Sequence, residues 1–510
     1  MKFDDKIKVT HEIIDKIIND PYRPNYHFCV PFDLGFPADP NAPFYYQGKY
    51  HLFYIYESRN DSYRWGHAIS NDLLHWSYLP DALTPDNLDG GIYSGGIYLK
   101  DDTAYIVYWA LGKNGCPDGI RIATSKGPNF IKWEKQENLI IENISNGVAK
   151  VKDLNGNIIE IGSADPSNIW KNNEKYYMQL GNLCLLNKYR DCGEEYSYLK
   201  GDHAYLFESK DLFNWNYIGE FYDRDKTNKY TDESEDCMCP YFGELPFKKE
   251  AEKMSGKYIQ LFLAHNKGTQ YYIGEYNKKQ NKFLIERHGR MSFVDNCLFA
   301  PEAMLTKDGR LVSFYWQRDN IDDDLERELQ KGYSGIHSLP RELFLHEDNC
   351  LGISPIREIK KQRITIYENK KEVSKLTKNI LNTDCCEIVI KNLNKNCKGK
   401  VGIDIDLGGQ GNIEIYLDYS NNSLVFDLTN SKSLGRKVKD IAPIKLDVID
   451  NQFIDIFIDK CIIDAFACDY QAISRQVFDT KPNSRKISII NENNNDISID
   501  IFEIMPTNSF

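Results

Sequence analysis

Ser70-Asn71-Asp72-Leu73-Leu74-His75-Trp76 and Ser209-Lys210-Asp211-Leu212-Phe213-Asn214-Trp215 are two copies of one phrase. Each ends a short strand in Ser, turns through a polar residue and Asp-Leu, and sets a Trp three positions after the Leu. A looser copy runs from Ala123-Thr124-Ser125 to Trp133. Each copy links aromatic-rich strands through a polar turn. Repeated four-stranded units of this kind cannot bury their apolar faces alone, so they must stack or close radially. Two isolated aspartates stand between such strands, in Ala38-Asp39-Pro40-Asn41 and Ala164-Asp165-Pro166-Ser167. The pattern predicts a β-propeller with carboxylates around its axis.

The strand signal extends from about residue 26 to 350. It includes Phe44-Tyr45-Tyr46, Lys49 to Tyr56, Ile92 to Leu99, Thr103 to Trp109, Lys175 to Gln179, His203 to Glu208, Tyr258 to His265, Gln270 to Tyr276 and Leu311 to Trp316. Asn, Asp, Gly and Lys fill the turns. No regular alternation of strand and helix runs through the region, which argues against a TIM barrel or a doubly wound sheet. The chain carries 33 Tyr and 25 Phe, residues that favour strands and pack blades. Before the propeller, Val9, Ile13, Ile14, Ile17 and Ile18 recur at helical spacing until Pro21, predicting a surface helix. Residues 351–380 read as a crossing segment, with Arg357 to Tyr367 either strand or short helix. From about 381 a second all-β pattern begins. Ile403-Asp404-Ile405-Asp406-Leu407 and Ile454-Asp455-Ile456-Phe457-Ile458 alternate with period two, as strands with one dry and one wet face do. The expected layout is a helical extension over 1–25, a propeller over 26–355, a connection over 356–380 and a β-sandwich over 381–510.

At 510 residues and 41% hydrophobic content, the chain is long enough for more than one real core. A net charge of −12 without a basic stripe gives nucleic-acid binding no electrostatic support. The start, Met1-Lys2-Phe3-Asp4-Asp5-Lys6, lacks the apolar core of a secretory signal, and no run approaches a transmembrane length. The 13 cysteines are irregularly spaced, which fits free thiols in a reducing compartment. A cytoplasmic location is therefore expected. Cys237-Met238-Cys239 and Cys385-Cys386 lack companion ligands at metal spacing. No Gly-rich phosphate loop follows a strand and opens a helix. No nucleotide, metal or redox cofactor is expected, nor any membrane partner. A homo-oligomer through the sandwich is left open.

An ordered set of phrases gives the chain a family likeness. Arg23-Pro24-Asn25-Tyr26-His27-Phe28, Ala38-Asp39-Pro40-Asn41-Ala42-Pro43, His51 to Tyr56, Trp65-Gly66-His67-Ala68, Tyr93-Ser94-Gly95-Gly96, Ala164-Asp165-Pro166, Gly335 to Leu343 and Asp459 to Phe466 follow one another at the family's spacing. The chain resembles glycoside hydrolase family 32, the invertase, levanase and fructanase family, over nearly its whole length. The resemblance implies an all-β fold, a five-bladed β-propeller followed by a C-terminal β-sandwich. It implies a retaining glycosidase acting on a small β-fructofuranoside or related furanoside through a covalent glycosyl-enzyme intermediate. A fructosyltransferase or difructose dianhydride-forming or -cleaving enzyme, and a non-catalytic carbohydrate-binding relative, are the alternatives.

Retention needs a carboxylate nucleophile and an acid/base about 5 Å apart. The resemblance makes Asp39 the nucleophile and Asp165 the stabiliser of the oxocarbenium-like state. The acid is harder to place in Glu233-Ser234-Glu235-Asp236-Cys237-Met238-Cys239-Pro240. Direct alignment on Cys239-Pro240 puts Met238 at the acid position, and Met cannot protonate an oxygen. Glu235 is the choice by residue type, with Asp236 the alternative. Whichever acts must hold a proton near neutral pH, so burial or a neighbouring carboxylate should raise its pKa. Asn41, Trp65, His67, Ser94 and Glu302 are the substrate-binding candidates; blade packing is the better reading of Trp109 and Trp316. His265 has Asn266 beside it but no carboxylate at triad spacing. The chain also departs from the family: Ala38 stands for Asn, Ala42 for Gly, Ile55 for Gln and Ala164 for Arg. Losing those side chains together would leave sugar hydroxyls unpaired, which points to a rebuilt glycone pocket.

Overall fold

The computed structural model describes residues 11–12, 14–30, 38–57, 62–113, 115–145, 147–183, 194–247, 253–318, 335–368, 384–433, 435–478 and 485–508. The chain forms two compact units. Leu34–Asn71 and Ser77–Trp316 make one; Met1–Asp33, Asp72–Trp76 and Gln317–Phe510 make the other.

The first unit is built of small antiparallel sheets that follow the chain. Pro40–Tyr46, Lys49–Glu57, Tyr63–Ser70 and Trp76–Leu83 pair in sequence order. The next sheet starts with Gly91–Lys100, Thr103–Leu111 and Gly119–Lys126, the third contains Ala164–Pro166, Lys175–Gly181, Tyr205–Ser209 and Trp215–Glu220, and the fourth runs Met238–Pro246, Met254–Ala264, Gly268–Asn277, Lys282–Arg290. Leu298–Leu305 follows. The leading strands form a closed succession: Pro40–Tyr46 touches Gly91–Lys100, which touches Ala164–Pro166, then Met238–Pro246, then Leu298–Leu305, which returns to Pro40–Tyr46. This radial closure is the propeller arrangement that the repeated phrase predicts.

The repeated phrase has a common turn geometry. Asp72 Oδ1 accepts the backbone N–H of Leu74 (3.1 Å) and His75 (2.9 Å), and Asp211 Oδ1 accepts those of Phe213 (2.9 Å) and Asn214 (2.8 Å). Leu73 and Leu212 are left-handed, with φ of 67° and 74°. The carbonyl of each then accepts the indole N–H of the Trp three residues on, at 3.1 and 2.9 Å. In the looser copy, Phe130 (φ 49°) takes the Leu position and accepts from Trp133 at 2.8 Å. The Asp satisfies the turn's N–H groups and the Trp caps its exposed carbonyl, which explains the fixed spacing.

Neighbouring sheets are joined by asparagines and by close backbone approach. The Asn168 amide donates to the Phe242 carbonyl and accepts the Phe242 N–H, both at 2.9 Å. Gly96 packs so tightly that a Cβ there would lie 2.2 Å from the Ser167 carbonyl oxygen.

In the second unit, residues 11–12 and 14–19 are helical; the rest of the expected helix lies outside the described residues. The C-terminal region is two antiparallel sheets. One runs Arg363–Glu368, Ile497–Ile504, Cys385–Asn392, Phe453–Asp459, Ile462–Ala467, Gln471–Gln476; the other runs Lys439–Pro443, Ser423–Asp427, Asn412–Asp418, Lys400–Asp406, Lys486–Asn491. One strand of the first sheet falls within the expected connection over 356–380. Arg357–Gln362 is a short 3-10 helix, and Arg363–Glu368 already pairs with Ile497–Ile504. Residues 369–383 lie outside the described set. Ile403, Ile405 and Leu407 are buried while Asp404 and Asp406 are half-buried, as alternation predicts. Ile454–Ile458 differs: Asp455 is buried too, because this central strand is covered on both faces. Burial, then the nearby Glu387 carboxylate, push the Asp455 carboxyl well above its usual range.

Two family phrases meet inside this unit. Asp459 accepts the backbone N–H groups of Asn25 (2.7 Å), Tyr26 (2.8 Å) and His27 (3.0 Å). The buried His27 ring lies between Asp459 (Nδ1–Oδ2 2.9 Å) and Asp464 (Nε2–Oδ2 2.7 Å).

Candidate active site

The leading strands bulge where the candidate residues sit. Pairing slips between Asn41 and Phe44, between Ile92 and Gly95, between Ala164 and Pro166, and between Met238 and Tyr241. Ala42, Cys239 and Ala300 are left-handed, with φ of 44°, 46° and 47°. Each precedes a proline, Pro43, Pro240 or Pro301, which has no N–H to lose from the ladder. A bulge re-aims the side chains around it, so these slips change which residues share a face of each leading strand.

Asp39 is fixed through its backbone. Its carbonyl accepts the Ile55 N–H and the Asn41 side-chain amide, both at 2.9 Å. The Asn41 amide oxygen accepts the Gly95 N–H at 3.0 Å. The buried Asn41 thus ties the Asp39 strand to its neighbour with both ends of its amide. Asp165 Oδ2 accepts the Cys239 backbone N–H (3.1 Å) and thiol (3.3 Å), and that thiol lies 3.5 Å from Ser94 Oγ. Burial, then the charges of Asp165 and Asp39, raise the Cys239 thiol well above its ordinary pKa, so it is a neutral donor. Ser94 and Asp165 therefore meet at Cys239, and the charge of Asp39 acts on the same thiol.

Glu302 is buried near the same carboxylate. Burial, opposed by a hydrogen bond from the Ala303 backbone and aided by the charge of Asp165, holds its carboxyl well above the usual range. Its Oε2 has no hydrogen-bond partner among the described residues.

The acid/base expectation changes most. Glu235 is buried, but Arg290 Nη1 and Nη2 donate to its Oε2 (3.2 Å) and Oε1 (3.0 Å), and Gln270 Nε2 donates to Oε2 (2.5 Å). Both oxygens are held by fixed donors in an ion pair, which leaves no geometry for giving a proton to a sugar oxygen. Asp236 is committed as well: Oδ1 accepts the His265 backbone N–H at 2.7 Å, and Oδ2 accepts Nδ1–H at 2.5 Å. His265 thus has a carboxylate partner that sequence spacing did not suggest. The signal lay in strand register. Met238 pairs with Leu263, so two steps outward on each strand bring Asp236 opposite His265. Burial opposes charge on His265, but Asp236, then the charges of Asp165 and Asp39, outweigh it and raise its pKa above the ordinary value.

Trp65 and His67 sit inside the blade core. The fully buried Trp65 donates its indole N–H to the Tyr93 carbonyl (2.9 Å) and packs on Phe53. His67 Nε2 lies 3.0 Å from His51 Nδ1, and its ring centroid is 4.4 Å from that of Phe53. Burial, then the neighbouring His51, lower its pKa well below the ordinary value, so it is a neutral core residue. Trp109 and Trp316 are also buried. The departures Ala38, Ala42, Ile55 and Ala164 are all buried. Among the described residues, no group of three or more His, Cys, Asp and Glu side chains is placed to hold a metal ion, and no helix is long and apolar enough to cross a membrane.

Comparison with known proteins matches this architecture from end to end. Residues 27–355 match the glycosyl hydrolases family 32 N-terminal domain, and residues 355–505 match the glycosyl hydrolases family 32 C-terminal domain. The chain is 26% identical over 497 residues to sucrose-6-phosphate hydrolase of Zymomonas mobilis, covering 91% of this chain and 89% of that protein. It is 24% identical over 492 residues to levanase of Bacillus subtilis, covering 88% of this chain and 65% of that one. Its fold is similar to that of fructan 1-exohydrolase IIa from Cichorium intybus, with a TM-score of 0.74 at 18% identity, covering 95% of this chain and 98% of the other. Sucrose-6-phosphate hydrolase from Lactobacillus gasseri gives a TM-score of 0.74 at 19% identity, covering 98% and 97%. The succession of leading strands and the two domain matches lead to one assignment: this chain belongs to glycoside hydrolase family 32.

Proposed function

We propose that this protein is a retaining hydrolase of small β-fructofuranosides, with Asp39 as nucleophile and Asp165 as the carboxylate that steadies the oxocarbenium-like transition state. The observation that carries the reading is the meeting of Ser94 and Asp165 at Cys239, a thiol that also feels the charge of Asp39, in a member of this family. Asp39 attacks the anomeric carbon, and water then releases the sugar from the resulting ester-like intermediate. The closed succession of leading strands supports a five-bladed catalytic propeller over residues 26–355. The C-terminal sandwich, taken from 381 to 510, gains Arg363–Glu368 as an edge strand. A cytoplasmic enzyme meets imported sugars, so we take oligosaccharides rather than polymers as substrates. The buried apolar residues Ala38, Ile55 and Ala164 offer fewer hydrogen bonds to the glycone than the family pattern, which favours a modified furanoside or linkage.

The test is a screen of purified protein against sucrose, sucrose 6-phosphate, kestose, inulobiose, levanbiose and difructose anhydrides. Turnover of at least one furanoside, abolished by Asp39→Ala, is the expected result. Failure to cleave or transglycosylate any of them overturns the reading. Capture of the intermediate by a sugar hydroxyl would give transfer products at high substrate, and free monosaccharide alone at every concentration would exclude that branch.

A further inference from the structure

The leaving oxygen in this reaction needs a proton, and the residue aligned with the family's acid is Met238, which has none to give. Glu235 is locked to Arg290 and Gln270. Glu302 is buried, whereas His265 is half-buried. We propose that the Nε2–H of His265, aimed by Asp236, protonates the leaving oxygen. This inference rests on the reading of Asp39 as nucleophile.

Four observations carry it. Asp236 grips His265 twice, through the backbone N–H and through Nδ1–H, so the ring's orientation and tautomer are fixed. Nε2 has no hydrogen-bond partner among the described residues. The ring is braced by Phe299, with centroids 5.5 Å apart, and the His265 carbonyl is held by Asn296 Nδ2 at 2.6 Å. Finally, Asp236 precedes by three residues Cys239, whose N–H and thiol meet Asp165, so the dyad borders the carboxylate site, and the charges of Asp165 and Asp39 add to the pull toward the imidazolium. The dyad lies just beyond the open end of the hairpin formed by Met238–Pro246 and Met254–Ala264.

The chemistry balances with groups already present. An Asp39 oxygen forms a bond to the anomeric carbon as the glycosidic carbon–oxygen bond breaks. That electron pair goes to the leaving oxygen, which takes the proton from Nε2 and departs as an alcohol. Neutral Nε2 then accepts a proton from the incoming water as the water oxygen bonds to the anomeric carbon. The bond to Asp39 breaks, its carboxylate is restored, and His265 is again an imidazolium. Asp236 touches no reacting atom; it is a positioning residue that fixes the ring and favours its charge.

The experiment compares His265→Gln, Asp236→Asn and Glu302→Gln with the parent protein on sucrose and on p-nitrophenyl β-D-fructofuranoside. A general acid contributes about 10²–10⁴-fold, and it matters little when the leaving oxygen is already a stable anion. For His265→Gln, kcat/KM on sucrose should fall by about 10²-fold or more, with a far smaller loss on the aryl glycoside. Asp236→Asn should move the alkaline limb of the sucrose pH profile to lower pH, and Asp236→Glu should restore part of it. Equal losses on both substrates for His265→Gln, or the selective loss in Glu302→Gln with normal His265→Gln, overturn the proposal. Should His265→Gln not fold, the parent decides. An imidazole's apparent pKa falls clearly on warming, a carboxyl's hardly moves, and a temperature-insensitive alkaline limb overturns the proposal. Asp39→Ala keeps the two readings apart: it must abolish turnover of both substrates whichever residue is the acid.

Discussion

Raising the pH should remove a defined part of the stability of the sandwich-containing unit, through His27. The ring is fully buried between Asp459 and Asp464. Burial alone disfavours the imidazolium, but hydrogen bonds and charge from the two aspartates outweigh it and push its pKa up from 6.5 to about 9. A histidine whose pKa is raised by folding stabilises fully below its unfolded value and loses that contribution as pH rises through its folded value. The linkage relation gives roughly 2–3 kcal/mol at pH 7, well under about 1 kcal/mol at pH 9 and almost nothing at pH 10. The assay is urea unfolding of the parent and of His27→Gln at pH 7, 8, 9 and 10, followed by tryptophan fluorescence and far-UV circular dichroism. The difference between the two proteins should shrink by about 2–3 kcal/mol across that range. A difference that stays constant from pH 7 to 10 would refute a charged His27, and with it the account of why the opening phrase and the Asp459 phrase occur together.

Asn168→Ala leaves the Phe242 N–H and carbonyl without their side-chain partners and should cost about 2–3 kcal/mol in urea unfolding; a loss below about 0.5 kcal/mol would mean that water replaces the amide. Glu302 is held protonated above the usual carboxyl range, so its ionisation opposes folding as pH climbs past the unfolded value. The stability of Glu302→Gln relative to the parent should therefore grow from pH 4 to pH 7, and a pH-independent difference would count against the raised pKa. Glu235→Gln should lose about 1–3 kcal/mol of stability by weakening the Arg290 pair, with kinetic losses equal for sucrose and the aryl fructoside; a selective loss on sucrose would return the acid to Glu235.

Much of the fold was legible because its signals are local. The Asp-Leu-x-x-Trp turn closes within seven residues, so its hydrogen bonds need no tertiary partner, and two sightings of it were enough to predict repeated blades. The alternation at Ile403 to Leu407 reports a half-wet strand for the same reason. Ile454 to Ile458 carries the same pattern yet is buried on both sides, because periodicity describes a strand's two faces and not what later covers them. Arg357 to Tyr367 stayed open between strand and short helix because the partner that makes Arg363–Glu368 a strand, Ile497–Ile504, lies far along the chain.

The site divides along the same line. The sequence by itself determined the family, the two Asp-Pro phrases and the absence of an acid at Met238, since these are matters of residue identity and order. Only the tertiary structure decided which titratable groups meet. Glu235 and Asp236 are adjacent in the irregular stretch before Met238–Pro246, yet one side chain meets Arg290 and Gln270 and the other meets His265. His67 could not be told from a sugar ligand until Phe53 and His51 closed over it. Charge and proton affinity follow from such neighbours and from burial, and both are set by contacts between residues that the chain itself keeps apart.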